Sequence, residues 1–504
     1  MFSSKDIEQI KNLGIPLEKV EEQIENFKNG FQPIHLLSHA TVENGIININ
    51  ENKKEELIKF YEKRISELEI TKFIPASGAA TRMFKDLFCF LEQDSEPSNQ
   101  IIEFINNIKK FAFFDELAFH LKKNGKDINQ CIKEKNYKTI IENLLTDIGL
   151  NYGNLSKGLL LFHKYSDQSR TAAEEHIAES IFYCKGKNNK INLHFTVSPE
   201  HIKYFNDHLE TIVRKYEQLY PVKINISLSV QEHSTDTIAV DLDNIPFRGK
   251  NGQLVFRPAG HGALLENLNH LNGDIIFIKN IDNVVPDNLK KEICSSKKIL
   301  GGYLLKIQEK IFNYLTILEN SDINNKIIEE IILFAKNKLV LPFDKNFNHF
   351  TEENKITYLY RLLHRPIRVC GMVKKQGDAG GGPFWTKDNR ENISLQIVET
   401  QQINLQDFQQ KSIFEESTHF SPTDLVCGIR DHKGQLFNLK EFIDPSAGFI
   451  SIKSKDGKPL KAIELPGLWN GSMAQWTTIF IEVPLITFNP VKTVFDLLRK
   501  EHIS

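Results

Sequence analysis

A handful of short runs in this chain combine residue types suited to chemistry on phosphates. The first is Ala76-Ser77-Gly78-Ala79-Ala80-Thr81-Arg82-Met83. Small side chains let a ligand approach the backbone, free N–H groups and a following helix N-terminus attract anions, and Arg82 offers a fork of donors. The same run also serves as a tight turn between a strand and a helix. Further on come Ser156-Lys157-Gly158-Leu159-Leu160, the glycine-histidine-glycine run Gly260-His261-Gly262, and Lys279-Asn280-Ile281-Asp282-Asn283 after an apolar stretch. Near the end stands Asn489-Pro490-Val491-Lys492-Thr493-Val494.

Other runs carry weaker signals. Gly380-Gly381-Gly382 leads into Pro383-Phe384-Trp385, which suits a loop closing on a sugar or a hairpin around a buried Trp. Leu468-Trp469-Asn470-Gly471 is a second loop of this kind or a turn. Asp241-Leu242-Asp243 has the pattern of a metal-binding acid pair, but in an acid-rich chain it reads as a solvated turn. Glu174-Glu175 reads as a solvated helix face, and His163, His176 and His261 lack metal-ligand spacing.

The elements that would position these residues follow from periodicity. Residues 1–70 alternate Lys/Glu with Ile/Leu at helical spacing and predict a helical N-terminal segment. A short apolar run, Lys72–Pro75, precedes the first loop as a strand. Residues 84–150 predict a helical insertion. Strands are predicted at 193–197, 224–230, 253–256 and 274–278, alternating with helices at 199–218 and 262–271. Strands alternating with helices predict an α/β fold with a mostly parallel, Rossmann-like sheet flanked by helices. Helices at 302–318 and 325–338 and strands at 367–373, 395–399 and 478–483 predict a mixed α+β C-terminal region. The boundaries expected are 1–70, 71–300 and 301–504, in keeping with about three domains at roughly 150 residues each.

Composition narrows the class. At 504 residues with 40% hydrophobic and 25% charged residues, the chain can bury a large core. With Lys+Arg at 63 against Asp+Glu at 65, the net charge is −2, so no global positive field points to nucleic acid. Six scattered cysteines without a C-x-x-C pair argue against a disulfide scaffold or thiolate zinc site. The charged N-terminus shows no signal segment, and no stretch reaches the ~18 apolar residues that span a bilayer. A cytoplasmic protein is expected.

Taken in order, the runs at 76–83, 156–157, 260–262, 280–283 and 490–498 resemble those of the UDP-sugar pyrophosphorylase family of nucleotidylyltransferases, over roughly residues 71–290 and 478–500. The whole chain also resembles a bacterial family known only as a domain of unknown function. The resemblance implies a nucleotide-diphospho-sugar transferase fold, GT-A-like. It implies an enzyme joining a nucleoside triphosphate to a sugar 1-phosphate with release of pyrophosphate, using Mg2+. By it, Ser77, Gly78, Ala79, Ala80, Thr81 and Arg82 fall on the nucleotide-phosphate loop, and Lys157 and Lys492 on two phosphate-contacting lysines. Gly260, His261 and Gly262 fall beside base and ribose, and Asp282 near the magnesium ion. Gly381 and Gly382 are added as sugar contacts from the glycine-aromatic loop.

The chain departs from that family at Ser77 and Ala80, where glycine is usual, and at Ser156, where proline is usual. About 75 residues separate Arg82 from Lys157 where a short loop is usual. These departures leave open a nucleotide-sugar-binding regulator without turnover, and the Asp241-Leu242-Asp243 pattern leaves open a GT-A glycosyltransferase using Asp241 and Asp243. The base, the sugar and the oligomeric state are not set by the sequence.

Overall fold

A computed structural model describes residues 2–503 except 79, 94–95, 320–322, 378–379, 389–390 and 421–423. The chain is α/β with mixed strand pairing, and its contacts group into two units, each built from three separate segments.

The first unit comprises Met1–Tyr61, Gln231–Phe277 and Ile299–Val483. Its central strands run parallel from Ile46–Ile47 through Thr477–Glu482 to Ile367–Met372, then antiparallel to Asp424–Gly428. Every residue of Ile367–Met372 and of Asp424–Gly428 is buried, the signature of strands covered on both faces. Beside them the strands Phe449–Lys455, Lys458–Glu464, Thr237–Val240 and Phe256–Arg257 form an antiparallel sheet. The N-terminal helices Ser4–Asn12 and Leu17–Asn29 pack Ile10, Val20, Ile24 and Phe27 on Ile238, Val240 and Ile463 of that sheet. The predicted N-terminal helices are therefore present, but residues 1–70 also hold strand His35–His39, which pairs with Gly382–Lys387.

The second unit comprises Glu62–Val230, Ile278–Lys298 and Pro484–Ser504. Its strands Ile70–Pro75, Lys190–Thr196 and Lys223–Ser229 are parallel throughout. Helices Ala172–Tyr183 and Ile202–Leu219 connect them, as the alternating pattern predicts. The segment 84–150 is helical as expected, in five short helices from Lys85–Glu92 to Tyr137–Leu145. After residue 278 the chain continues along the first strand, with Lys279 N–H donating to Phe73 O at 3.2 Å and Ile281 N–H to Pro75 O at 3.3 Å. Asp282 is thereby delivered to the carboxyl end of Ile70–Pro75, where parallel sheets bind ligands.

One sequence reading fails here. Glu174 and Glu175 are not on a solvated face: Glu175 is fully buried and takes Lys290, His163 and Tyr165 as partners, and Glu174 accepts Lys215 Nζ at 2.8 Å. Their cations come from distant segments, which adjacency in sequence could not show. Among the described residues no helix is long and apolar enough to cross a membrane.

Candidate active site

In the second unit, the loop after Ile70–Pro75 is tied down on several sides. Ala76 N–H donates to Thr196 O at 2.9 Å, and Ser156 Oγ donates to Ala76 O at 2.8 Å. Ser198 Oγ donates to Ser77 O at 2.8 Å, and Ala80 N–H to Leu155 O at 3.1 Å. Gly78, Thr81 and Arg82 remain exposed, and a Cβ at Gly78 would meet no atom within 4 Å. Ala79 lies outside the described residues. Two details correct the sequence reading. The Ala80 amide is already spent on Leu155, so it is not free for a phosphate. The helix starts only at Lys85, after a 3-10 turn at Ala80–Arg82, so its N-terminus does not directly follow the small residues.

Ser156 explains one departure from the familiar pattern. Buried, its hydroxyl caps the turn Lys157–Leu159 and pins Ala76, work that a proline could not do. The turn aims Lys157, whose Nζ donates to Asp282 Oδ2 at 3.0 Å and to Val491 O at 2.7 Å. Lys492 Nζ donates to the same Asp282 oxygen, also at 3.0 Å.

The C-terminal segment reaches this point by backbone pairing. Val491 N–H donates to Asp282 O at 3.0 Å and Val494 N–H to Met83 O at 3.1 Å, while Asn283 and Pro490 form a β-bridge. Asp496 Oδ2 accepts the N–H groups of Lys492 and Thr493, and Val491, Val494 and Leu497 are buried beneath. These apolar residues anchor the segment, which forms a 3-10 turn at Val494–Leu498. Sequence-distant Lys157 and Lys492 meet on one carboxylate.

Burial alone would raise the Asp282 carboxyl, but the ammonium groups of Lys492 and Lys157 overrule it and hold it below the usual range. Burial pushes Lys157 below the usual lysine range, against the pull of Asp282. Asp282 Oδ1 is buried and has no hydrogen-bond partner among the described residues. Beneath lies a second, fully buried group: Glu179 accepts Lys72 Nζ at 2.6 Å and Lys279 Nζ at 2.8 Å. Sequence spacing gave no hint of it.

The remaining candidates lie in the first unit. His261 stacks on Trp469 with ring centroids 4.4 Å apart. Its Nδ1 accepts Leu468 N–H at 3.0 Å, so Nε2 carries the proton and donates to Glu399 Oε1 at 3.0 Å. Glu399, a partner the sequence did not reveal, is held below the usual carboxylate range by that bond, against its burial. Gly260 has φ +75°, and a Cβ on Gly262 would lie 2.2 Å from Pro466 O. Gly381 and Gly382 are buried, and a Cβ on Gly381 would lie 2.2 Å from Val398 O, so close backbone packing requires glycine there. Asp241 Oδ1 accepts the N–H groups of Asp243 and Ile245, the solvated turn expected of that pair.

The fold has solved counterparts. It is similar to the uridine diphosphate N-acetylglucosamine pyrophosphorylase of Trypanosoma brucei, 12% identical, with a TM-score of 0.50 over 95% of this chain and 74% of that one. It is also similar to the UDP-glucose pyrophosphorylase of Leishmania major, 11% identical, with a TM-score of 0.46 over 99% of this chain and 79% of that one. The chain therefore has a UDP-sugar pyrophosphorylase-like fold. Residues 3–503 match the family described as a domain of unknown function (DUF4301), and the chain belongs to that family. No curated protein matches it.

Proposed function

We propose that this protein is a magnesium-dependent nucleotidylyltransferase that joins a nucleoside triphosphate and a sugar 1-phosphate. The observation that carries the reading is the meeting of Lys157 and Lys492 on Asp282, at the carboxyl end of a parallel strand. Nucleotidyl transfer brings two polyanions together, so it needs cations around the α-phosphate more than it needs a base. An ionised sugar-phosphate oxygen forms the new bond to the α-phosphorus, and the bond to pyrophosphate breaks, with no proton to remove.

In this reading Lys157, Lys492 and Arg82 offset the phosphate charge, with Ser77, Gly78, Ala80 and Thr81 shaping the loop. Asp282 fits a hard cation: its unpartnered Oδ1 has free lone pairs, and Mg2+ commonly takes one or two carboxylates together with substrate phosphates. When bound, Mg2+ would add positive charge to the phosphates undergoing transfer.

The experiment is product analysis with both substrates and Mg2+. Pyrophosphate and a nucleotide sugar in equal amounts, formed only when triphosphate and sugar 1-phosphate are both present, is the outcome expected. A sugar transferred to an acceptor with release of a nucleoside diphosphate would contradict it.

A further inference from the structure

We propose that His364, Asp431 and His432, all in the first unit, bind one divalent transition-metal ion of the zinc class. One ligand atom from each lies within 4.8 Å of the others. The three are fixed by local structure. Asp431 opens a tight turn closed by Gly434 at φ +78°, with Asp431 N–H donating to Gln435 O at 2.9 Å. Its Oδ1 accepts the N–H groups of Lys433 and Gln435 at 2.9 and 2.8 Å. That leaves Oδ2, which lies 3.7 Å from His364 Nε2. The His364 ring, at the end of helix Glu352–Leu363, is stacked on Tyr360 and met edge-on by Phe437.

His432 supplies the independent observation. Its side chain is only 3% exposed, and its Nε2 lies 3.1 Å from Glu319 Oε1. An ionised carboxylate only accepts, so Nε2 carries a proton, and in the neutral ring Nδ1 presents a lone pair. That Nδ1 is buried and has no hydrogen-bond partner among the described residues. Leaving a buried polar atom unsatisfied is costly, and a metal bond would offset that cost.

A carboxylate bonded to the far nitrogen of an imidazole is also the arrangement that orients a metal-binding histidine. Here Glu319 is itself held by Lys433 Nζ at 2.7 Å and Tyr360 Oη at 3.2 Å. Two imidazoles and one carboxylate favour a zinc-class ion over magnesium or calcium, whose sites are built from oxygen. Tetrahedral ligands at about 2.0–2.1 Å from zinc stand about 3.3 Å apart, so the ion would draw these side chains slightly together. The His364 side chain is 32% exposed, which gives an ion a way in and leaves a position for water.

The test strips the full-length protein with a chelator, then titrates Zn2+ by calorimetry and Co2+ by visible absorption. One equivalent per chain is expected, with the intense absorption of tetrahedral Co2+ and its displacement by Zn2+. His432→Ala should weaken binding at least tenfold. Glu319→Gln, which keeps all three ligands, should weaken it about 10–100-fold at unchanged stoichiometry. His349→Ala, an exposed histidine elsewhere, should bind like the wild type. Absence of stoichiometric binding by the wild type overturns the proposal, as does wild-type affinity in folded His432→Ala. If His432→Ala does not fold, wild-type affinity in Glu319→Gln overturns it equally.

Discussion

Lys157 and Lys492 share one carboxylate oxygen, but their side chains are 12% and 63% exposed, and that difference separates their effects. Because burial lowers the Lys157 pKa, the folded chain binds fewer protons there than the unfolded chain between the lowered value and the ordinary lysine range. Stability contributed by this group therefore rises with pH across that window, and its charge is a cost at neutral pH. In Lys157→Met, Asp282 still keeps Lys492. The variant should melt within a few degrees of the wild type or above it by circular dichroism, while pyrophosphate release falls at least tenfold. Lower melting with full turnover would make Lys157 a structural residue instead. Lys492→Ala should likewise lose at least tenfold in turnover, about 1.4 kcal/mol of transition-state stabilisation, with little change in stability. Near-wild-type kinetics at saturating substrates and Mg2+ would show that the C-terminal segment only packs. Asp282 has a pH dependence of the same sign in a lower window: its lowered pKa contributes stability above the ordinary aspartate range, lost as pH falls through the folded value. Asp282→Asn preserves shape but removes the counter-ion of Lys157 and Lys492, and losing one member of a buried ion pair costs about 3–5 kcal/mol, so its activity must be read together with its melting temperature.

At the scale of elements, helix Ala172–Tyr183 and strand Ile70–Pro75 are joined through charge, by Lys72 of the strand on Glu179 of the helix. Glu179→Gln would leave Lys72 and Lys279 buried without their counter-ion, and should lower the thermal midpoint by the equivalent of about 3–5 kcal/mol. A midpoint unchanged in that variant would contradict this reading of the cluster. Burial raises the Glu179 carboxyl, but Lys279 and Lys72 hold it well below the ordinary glutamate value, so this stabilisation is present above that value and fades as pH falls through the lowered one. Strand Ile275–Ile278 was legible because burial of every residue makes it a continuous apolar run. The hairpin Phe449–Glu464 was missed although Asp456-Gly457, at φ +50° and +76°, is a turn signal: its strands are rich in Lys and half exposed. The lysine pair on Asp282 was reachable through the order of motifs. Glu179, Glu399 and the His364 cluster were not, since their partners lie on distant segments and leave no spacing to read.

For the whole molecule, near-neutral net charge means that any attraction of a polyanion must be local, and we assign it to Lys157 and Lys492 at the end of the second unit's parallel strands. The shared fold sets where a ligand can bind but not what chemistry follows, so the activity rests on the site. The most direct measurement is a pyrophosphate-release screen of nucleoside triphosphates against sugar 1-phosphates with Mg2+, using the full-length protein and its Lys157→Met variant. The account predicts Mg2+-dependent pyrophosphate release with at least one pair, lost in the variant. Thermal stabilisation by nucleotide sugars without pyrophosphate release from any pair would contradict it and mark a binding protein.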